Sequence, residues 1–245
     1  MIWRGCWTGR PVARTPEGRL LTQQHRRMQL AVRAAALRDI QRMWSAVDPT
    51  NLAGTIGPFA QGAALVVRAR NRESASTSAR YYREFRRLEG VGGTLMLEAA
   101  DPPSRQVAEA AVRGAGLAGI INARKRGFSA QASARNGFVK ASGTVSNLAL
   151  AGGRKLLVAA AKADPQTGGR WQRVTSAEPC DFCAMTASRG PVYSEQTVDF
   201  EAHSHCGCTV EPVFPGSELP PASRRFAELV EQVGEDGLRA ALGNN

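Results

Sequence analysis

Four of the five cysteines and two of the three histidines of this 245-residue chain fall between Cys180 and Cys208, in the stretch CDFCAMTASRGPVYSEQTVDFEAHSHCGC. A fold that accommodates this cluster has to bring both of its ends to one place. Cys180 and Cys183 have the Cys-x2-Cys spacing of a knuckle turn, in which two thiolates converge on one tetrahedral ion. After 19 intervening residues, His203, His205, Cys206 and Cys208 offer a second set of donors. Zinc suits a mixture of sulfur and nitrogen ligands, and two ligands from each set make a closed, structural site. The candidate ligands are Cys180 and Cys183 with two of His203, Cys206 and Cys208. Residues two apart on an extended strand face the same way, so Cys206 and Cys208 point together and His205 points away from Cys206, toward solvent.

Two disulfides are the alternative to a metal. A Cys/His catalytic pair in the manner of a thiol protease is a second alternative. It is the weaker one, because the cysteines are equivalent in spacing and no acid or amide stands out to orient the histidine. A redox role for Cys-x-x-Cys wants a thioredoxin-like βαβ context, which the surrounding sequence lacks. An odd number of cysteines, four of the five clustered in this way and Cys6 far from them, does not resemble the disulfide framework of a small secreted domain.

Charge divides the chain near the same point. Residues 1–173 hold 28 Lys or Arg against 10 Asp or Glu, whereas residues 174–245 hold 4 against 11. The long first part is therefore strongly basic and the tail acidic. A field of that sign favours a polyanion, nucleic acid being the usual one, while the plainer reading is a solvated helical surface. No run approaches the roughly 20 apolar residues that cross a bilayer, and MIWRGCWTGRPVARTPEGR lacks the apolar stretch of a secretory signal. The expectation is a soluble protein made in the cytoplasm, with no membrane partner.

Leu21, Met28, Val32, Ala35, Ile40, Met43 and Val47 recur at helical spacing between Thr15-Pro16 and Asp48-Pro49, and predict one long helix. A second helix is expected to begin near Pro58, followed by a polar interruption, NRESASTS, and the stretch ARYYREFRRLEG. There Tyr81, Tyr82 and Phe85 alternate with Arg80, Arg83, Arg86 and Arg87, a pattern of one packed and one solvated face or of an aromatic surface for nucleic acid. Pro103 to Ala163 is rich in Ala and Gly, with helical runs SRQVAEAAVRGAGLAGIINARKRG and GRKLLVAAAKAD. Its glycines weaken a lone helix by up to about 1 kcal/mol each, so this region is expected to need a partner or a crowded assembly to become rigid. Beyond Asp164-Pro165 and Gly168-Gly169, RWQRVTS and CTVEPVF have the β-branched alternation of short strands, and SRRFAELVEQVGEDGLRAAL reads as an amphipathic final helix.

The predicted fold is thus mainly α: a basic helical region (1–165), a small strand-containing Cys/His module of α+β type (166–216) and a C-terminal amphipathic helix or tail (217–245).

WQRVTSAEPCDFCAMTASRGPVY followed by HSHCGCTVEPVF resembles the C-terminal signature of the Mu F-like minor head proteins of tailed bacteriophages, the phage head morphogenesis family, in its actinobacteriophage form. The matching positions are Trp171, Cys180, Cys183, Gly190, His203, Cys206 and Cys208. The likeness covers about 45 residues, and the helical part matches only in general character. Where many members carry an acidic Leu-Asp-Gly turn, this chain has Thr186 to Gly190 as TASRG. The resemblance implies a minor capsid protein inside the phage head near the portal, without catalytic turnover, acting in head morphogenesis and in genome packaging or ejection. Its implied partners are the portal protein, the scaffold or major capsid protein, and packaged double-stranded DNA. The rival expectations are a capsid maturation protease acting on scaffold or major capsid protein, and a cellular zinc-knuckle nucleic-acid binder. The module would dock as a small unit, because a metal can hold a two-strand fold that has too little apolar core.

Overall fold

Helices in this chain begin where a short polar side chain replaces a missing intrahelical acceptor. The computed structural model describes residues 12–175, 183, 186, 187, 190, 191, 202, 204–218 and 232. Thr15 Oγ1 accepts from Gly18 N at 3.0 Å and opens α1 (Pro16–Trp44), with Pro16 in the first turn, where its missing N–H costs nothing. Asn51 caps α2 (Leu52–Leu88), Ser104 caps α3 (Arg105–Lys125) and Ser129 caps α4 (Ala130–Ala163) in the same way. Two strands follow, β1 (Trp171–Val174) and β2 (Thr209–Pro212), paired antiparallel with Trp171 opposite Pro212 and Gln172 opposite Glu211. The protein is mainly helical with a small two-strand sheet and a cysteine cluster, the class that the sequence predicts.

Two of the expected helix boundaries are corrected. The second helix starts at Leu52 rather than near Pro58, which lies inside it. The Asn51 side chain accepts from Gly54 N at 3.2 Å and sets the start. NRESASTS does not interrupt this helix, and the reason is packing. Asn71, Ser74 and Ser78 are buried against α4, where Gly152 and Gly153 let the two backbones approach. Asn71 Nδ2 donates to Leu148 O at 2.7 Å, and Ser74 Oγ accepts from Gly153 N at 3.1 Å. Small hydroxyl and amide groups are required here, because nothing larger fits and each must find a buried partner. Likewise α4 begins at Ala130, well before GRKLLVAAAKAD.

Small residues between Pro103 and Ala163 find their partners within the chain. Gly119 lies so close to α4 that an added Cβ would stand 2.7 Å from the Asn136 carbonyl oxygen. Ala108 and Val112 of α3 join Ile40, Ile56, Phe59, Val67, Val145 and Ala149 in a core shared by all four helices.

The second core couples helices to sheet. Tyr81, Tyr82 and Phe85 of α2 and Leu156 and Leu157 of α4 pack with Trp171, Val210 and Phe214. A two-stranded ribbon is marginal by itself, and these helices supply the apolar surface it lacks. Tyr82, Phe85, Leu157 and Val210 have no exposed area, so the aromatics of ARYYREFRRLEG form a packed face, not a stacking surface for bases. Arg86 pairs with Asp164, the C-cap of α4, and the Tyr82 hydroxyl donates to the same carboxylate at 3.1 Å. The final helix expected from residue 223 onward lies outside the described residues, apart from Gln232.

Candidate metal centre

Cys208 immediately precedes β2, so pairing of β2 with β1 fixes where the chain carrying Cys206 and Cys208 enters the sheet. Cys183 comes to the same place from the other side of the sequence gap. The sulfurs of Cys183, Cys206 and Cys208 lie within 4.8 Å of one another, and all three residues are buried. Cys183 Sγ is 3.5 Å from Cys206 Sγ, well beyond the roughly 2.05 Å of a disulfide. No disulfide joins these three cysteines to one another. The Cys208 N–H points at Cys206 Sγ at 3.5 Å, a contact that favours a thiolate there.

Three soft donors at this spacing fit one thiophilic ion such as zinc, which would gather the thiolates and supply no redox chemistry. Without an ion, crowding drives their titrations apart. Hydrogen bonds from Cys183 and Cys208 hold the Cys206 thiol far below its usual range, and the shared hydrogen bond with Cys206 pushes Cys183 far above it. Of the five candidate ligands, the structure thus brings together Cys183, Cys206 and Cys208. Cys180 and His203 lie outside the described residues. His205 is exposed as expected, but it stands in a turn with φ of 64° and not on a strand, which begins only at Thr209; its Nε2 donates to Val139 O at 3.1 Å.

The ligand loop is seated on α4 by residues that the motif does not contain. Val139, Gly143, Asn147 and Arg154 lie along one side of that helix at spacings of four, four and seven. Arg154 Nη2 donates to Cys206 O at 2.7 Å and its Nε to Cys208 O at 3.1 Å, so one guanidinium spans both ligand peptides. Asn147 accepts from Arg154 Nη1 at 3.1 Å and donates to Ala202 O at 3.0 Å. At Gly143 an added Cβ would lie 2.8 Å from the Ser204 Cβ, so the loop needs a glycine beneath it. Arg154 and Arg173 are buried beside the cysteines, and Arg173 Nη1 is 4.0 Å from Cys183 Sγ. Burial pushes the Arg154 guanidinium down from its ordinary value, and the nearby sulfurs of Cys206 and Cys208 oppose that shift. Buried cations of this kind are suited to a site that carries net negative charge, as a metal bound by several thiolates does. Sequence reasoning missed Arg154 and Asn147. The available signal was a pair of polar side chains seven apart within the apolar run NLALAGGRKLLV.

His25, the remaining histidine, takes no part in this cluster. It is buried between α1 and α2, with Nε2 3.0 Å from Ser78 Oγ and its ring stacked on Tyr81 at 4.2 Å. Among the described residues, no helix is long and apolar enough to cross a membrane.

A model of the VG15 protein family matches residues 19–232, which takes in all but the first three residues of α1, the other three helices, both strands and the cysteine cluster. No curated protein and no solved structure matches the chain. With most of its length covered by that match, the chain belongs to the VG15 family, a family of viral (phage) proteins.

Proposed function

We propose that this protein is a minor head protein of a tailed bacteriophage, a structural component that sits inside the head near the portal and acts in head morphogenesis. The observation that carries the reading is the VG15 match over residues 19–232. It is supported by the convergence of Cys183, Cys206 and Cys208 at the Val174–Thr209 end of the ribbon that Trp171 opens, residues that resemble the Mu F-like signature. In this reading zinc is structural: Cys183, Cys206 and Cys208, completed by Cys180 or His203, bind it and lock the 202–208 loop onto α4. The basic helical body then meets acidic portal surface or packaged DNA, mainly through charge.

Quantitative mass spectrometry of purified virions tests the placement, and co-sedimentation with the portal oligomer at low salt in the presence of zinc tests the partner. The chain is expected in mature or precursor heads at a small fraction of the major capsid protein's copy number, and in the portal pellet. Absence from both kinds of head, with no portal binding at low salt, contradicts the proposal.

A further inference from the structure

Between Ala110 and Ala163 the chain has nine Lys or Arg residues and not one Asp or Glu. This stretch is most of α3, the α3–α4 turn and all of α4. From Ala110 onward the α3–α4 hairpin therefore has no carboxylate of its own to neutralise its cations, Glu109 lying at the other end of α3 from the turn. Near the turn the two helices meet through Gly116, Gly119 and Gly137, where a Cβ on Gly137 would come within 2.9 Å of the Gly116 carbonyl oxygen. Such close backbones leave the longer side chains to stand up on either side of the seam. They enclose an open concavity of about 460 Å³ lined by Asn122, Lys125, Arg126, Asn136 and Lys140 over Gly119.

Helix-end electrostatics account for only part of this set, since Arg126 is itself the C-cap of α3. Arg124 and Lys125 lie in the last turn of α3, where cations offset the helix dipole, but Lys140 is in the third turn of α4. Arg124 is committed elsewhere, bonding the Pro49 carbonyl between α1 and α2. Arg126 is held in place, with Nε donating to Asn122 O at 3.3 Å and its guanidinium 5.3 Å from the centre of the Phe128 ring.

We propose that this α3–α4 groove binds the phosphodiester backbone of double-stranded DNA, with Lys125, Arg126 and Lys140 facing successive phosphates and the Asn122 and Asn136 side chains adding neutral hydrogen bonds. The inference deepens the reading of the chain as a head protein, which would place it beside the packaged genome. Three cations and two amides form a donor-rich lining suited to phosphate oxygens, Asn136 Nδ2 keeping one N–H beyond the one it gives to Ala132 O at 3.0 Å. An acidic protein partner is less well matched, because lysine is depleted where protein surfaces bury each other. Contacts of this kind position a backbone and read no sequence.

The test is fluorescence anisotropy of the full-length, zinc-loaded chain with a labelled random-sequence duplex over a range of salt. Lys125→Ala/Lys140→Ala is compared with Arg27→Ala/Arg83→Ala, which removes two exposed cations from α1 and α2. Losing two phosphate contacts lowers the slope of log K against log salt by about 2, roughly 0.9 for each contact. The groove pair is expected to show that drop and the control pair none, with circular dichroism unchanged for both. Equal drops for the two pairs would mean diffuse attraction and overturn the groove. So would no duplex binding at low salt, or polyglutamate bound with the same dependence on Lys125 and Lys140, which would give the groove to an acidic protein. Each of these failures leaves the virion and portal measurements untouched, so the groove and the head-protein reading fail separately.

Discussion

Gly152→Ala is expected to destabilise the protein by about 3 kcal/mol, at the upper end of the usual cost of overpacking. Alanine ordinarily strengthens a helix interior by up to about 1 kcal/mol relative to glycine. At Gly152 that gain is outweighed, because the new Cβ would overlap the Asn71 carbonyl oxygen, which is backbone and moves only if α2 and α4 separate. Gly153 is similar, with Ser78 Oγ and Ser74 Oγ at 2.5 and 2.6 Å from an added Cβ. Gly114 supplies the contrast. It is exposed in α3 with nothing within 4 Å of an added Cβ, so Gly114→Ala should stabilise by roughly 0.4–1 kcal/mol. Urea titrations that show a lowered midpoint for Gly152→Ala and a raised one for Gly114→Ala, with unchanged slopes, would agree with this packing. The same sign for both would not.

The second large effect is on the pH dependence of stability, and it comes from two buried groups with opposite signs. His25 is held neutral by burial, which lowers its pKa from 6.5 to about 3. Between those values the unfolded chain binds a proton that the folded chain does not, so stability falls as pH drops through that window. The loss reaches about 5 kcal/mol by pH 3. Glu211 is fully buried and shifts the other way, from 4.5 to about 7, because burial outweighs the donors around it. Those donors are Val12 N at 2.7 Å, Thr22 Oγ1 at 2.8 Å and Gln172 Nε2 at 2.7 Å. Thr22 gives its one proton to Glu211, so the Tyr81 hydroxyl must donate to Thr22 at 2.8 Å. Between 4.5 and about 7 the folded chain holds a proton on Glu211 that the unfolded chain has lost. Stability therefore falls as pH rises, by about 3 kcal/mol in total.

From about pH 4.5 to 6.5 the two slopes cancel, and each single variant should expose the other group. Relative to wild type, Glu211→Gln should gain stability with rising pH across that range with a slope of about one proton, and His25→Gln should lose it. Taking differences between variant and wild type at each pH removes contributions from the thiols and surface carboxylates. A difference curve for Glu211→Gln that stays level from pH 4.5 to 7 would contradict the account.

How far the sequence revealed the molecule can be argued from particular residues. The first helix was legible from Thr15-Pro16 to Asp48-Pro49 because cap, apolar period and stop agree. Both strands were legible because RWQRVTS and CTVEPVF carry β-branched alternation next to glycine and proline breaks. The run NRESASTS misled because polarity signals exposure only when no second helix needs small hydrogen-bonding partners, and the glycines that create that need lie some 80 residues away. The pairing of Cys183 with Cys206 and Cys208 followed from ligand spacing. Arg154, Asn147 and Glu211 did not, because a buried charge is recognised by its neighbours and those neighbours come from different elements. The need of the Ala/Gly-rich region for a partner was real in physical terms, and α2, α3 and α4 meet it for one another.

The claim on which the site depends is that the cysteine cluster binds one structural ion. It is tested most directly by elemental mass spectrometry of the purified full-length chain, with free thiols counted before and after chelation. About one zinc per chain, with the cluster thiols becoming reactive only after chelation, is the result expected for ligands drawn from Cys180, Cys183, His203, Cys206 and Cys208. A metal-free chain whose thiols are fully reactive from the start, or already oxidised to disulfides, would contradict it.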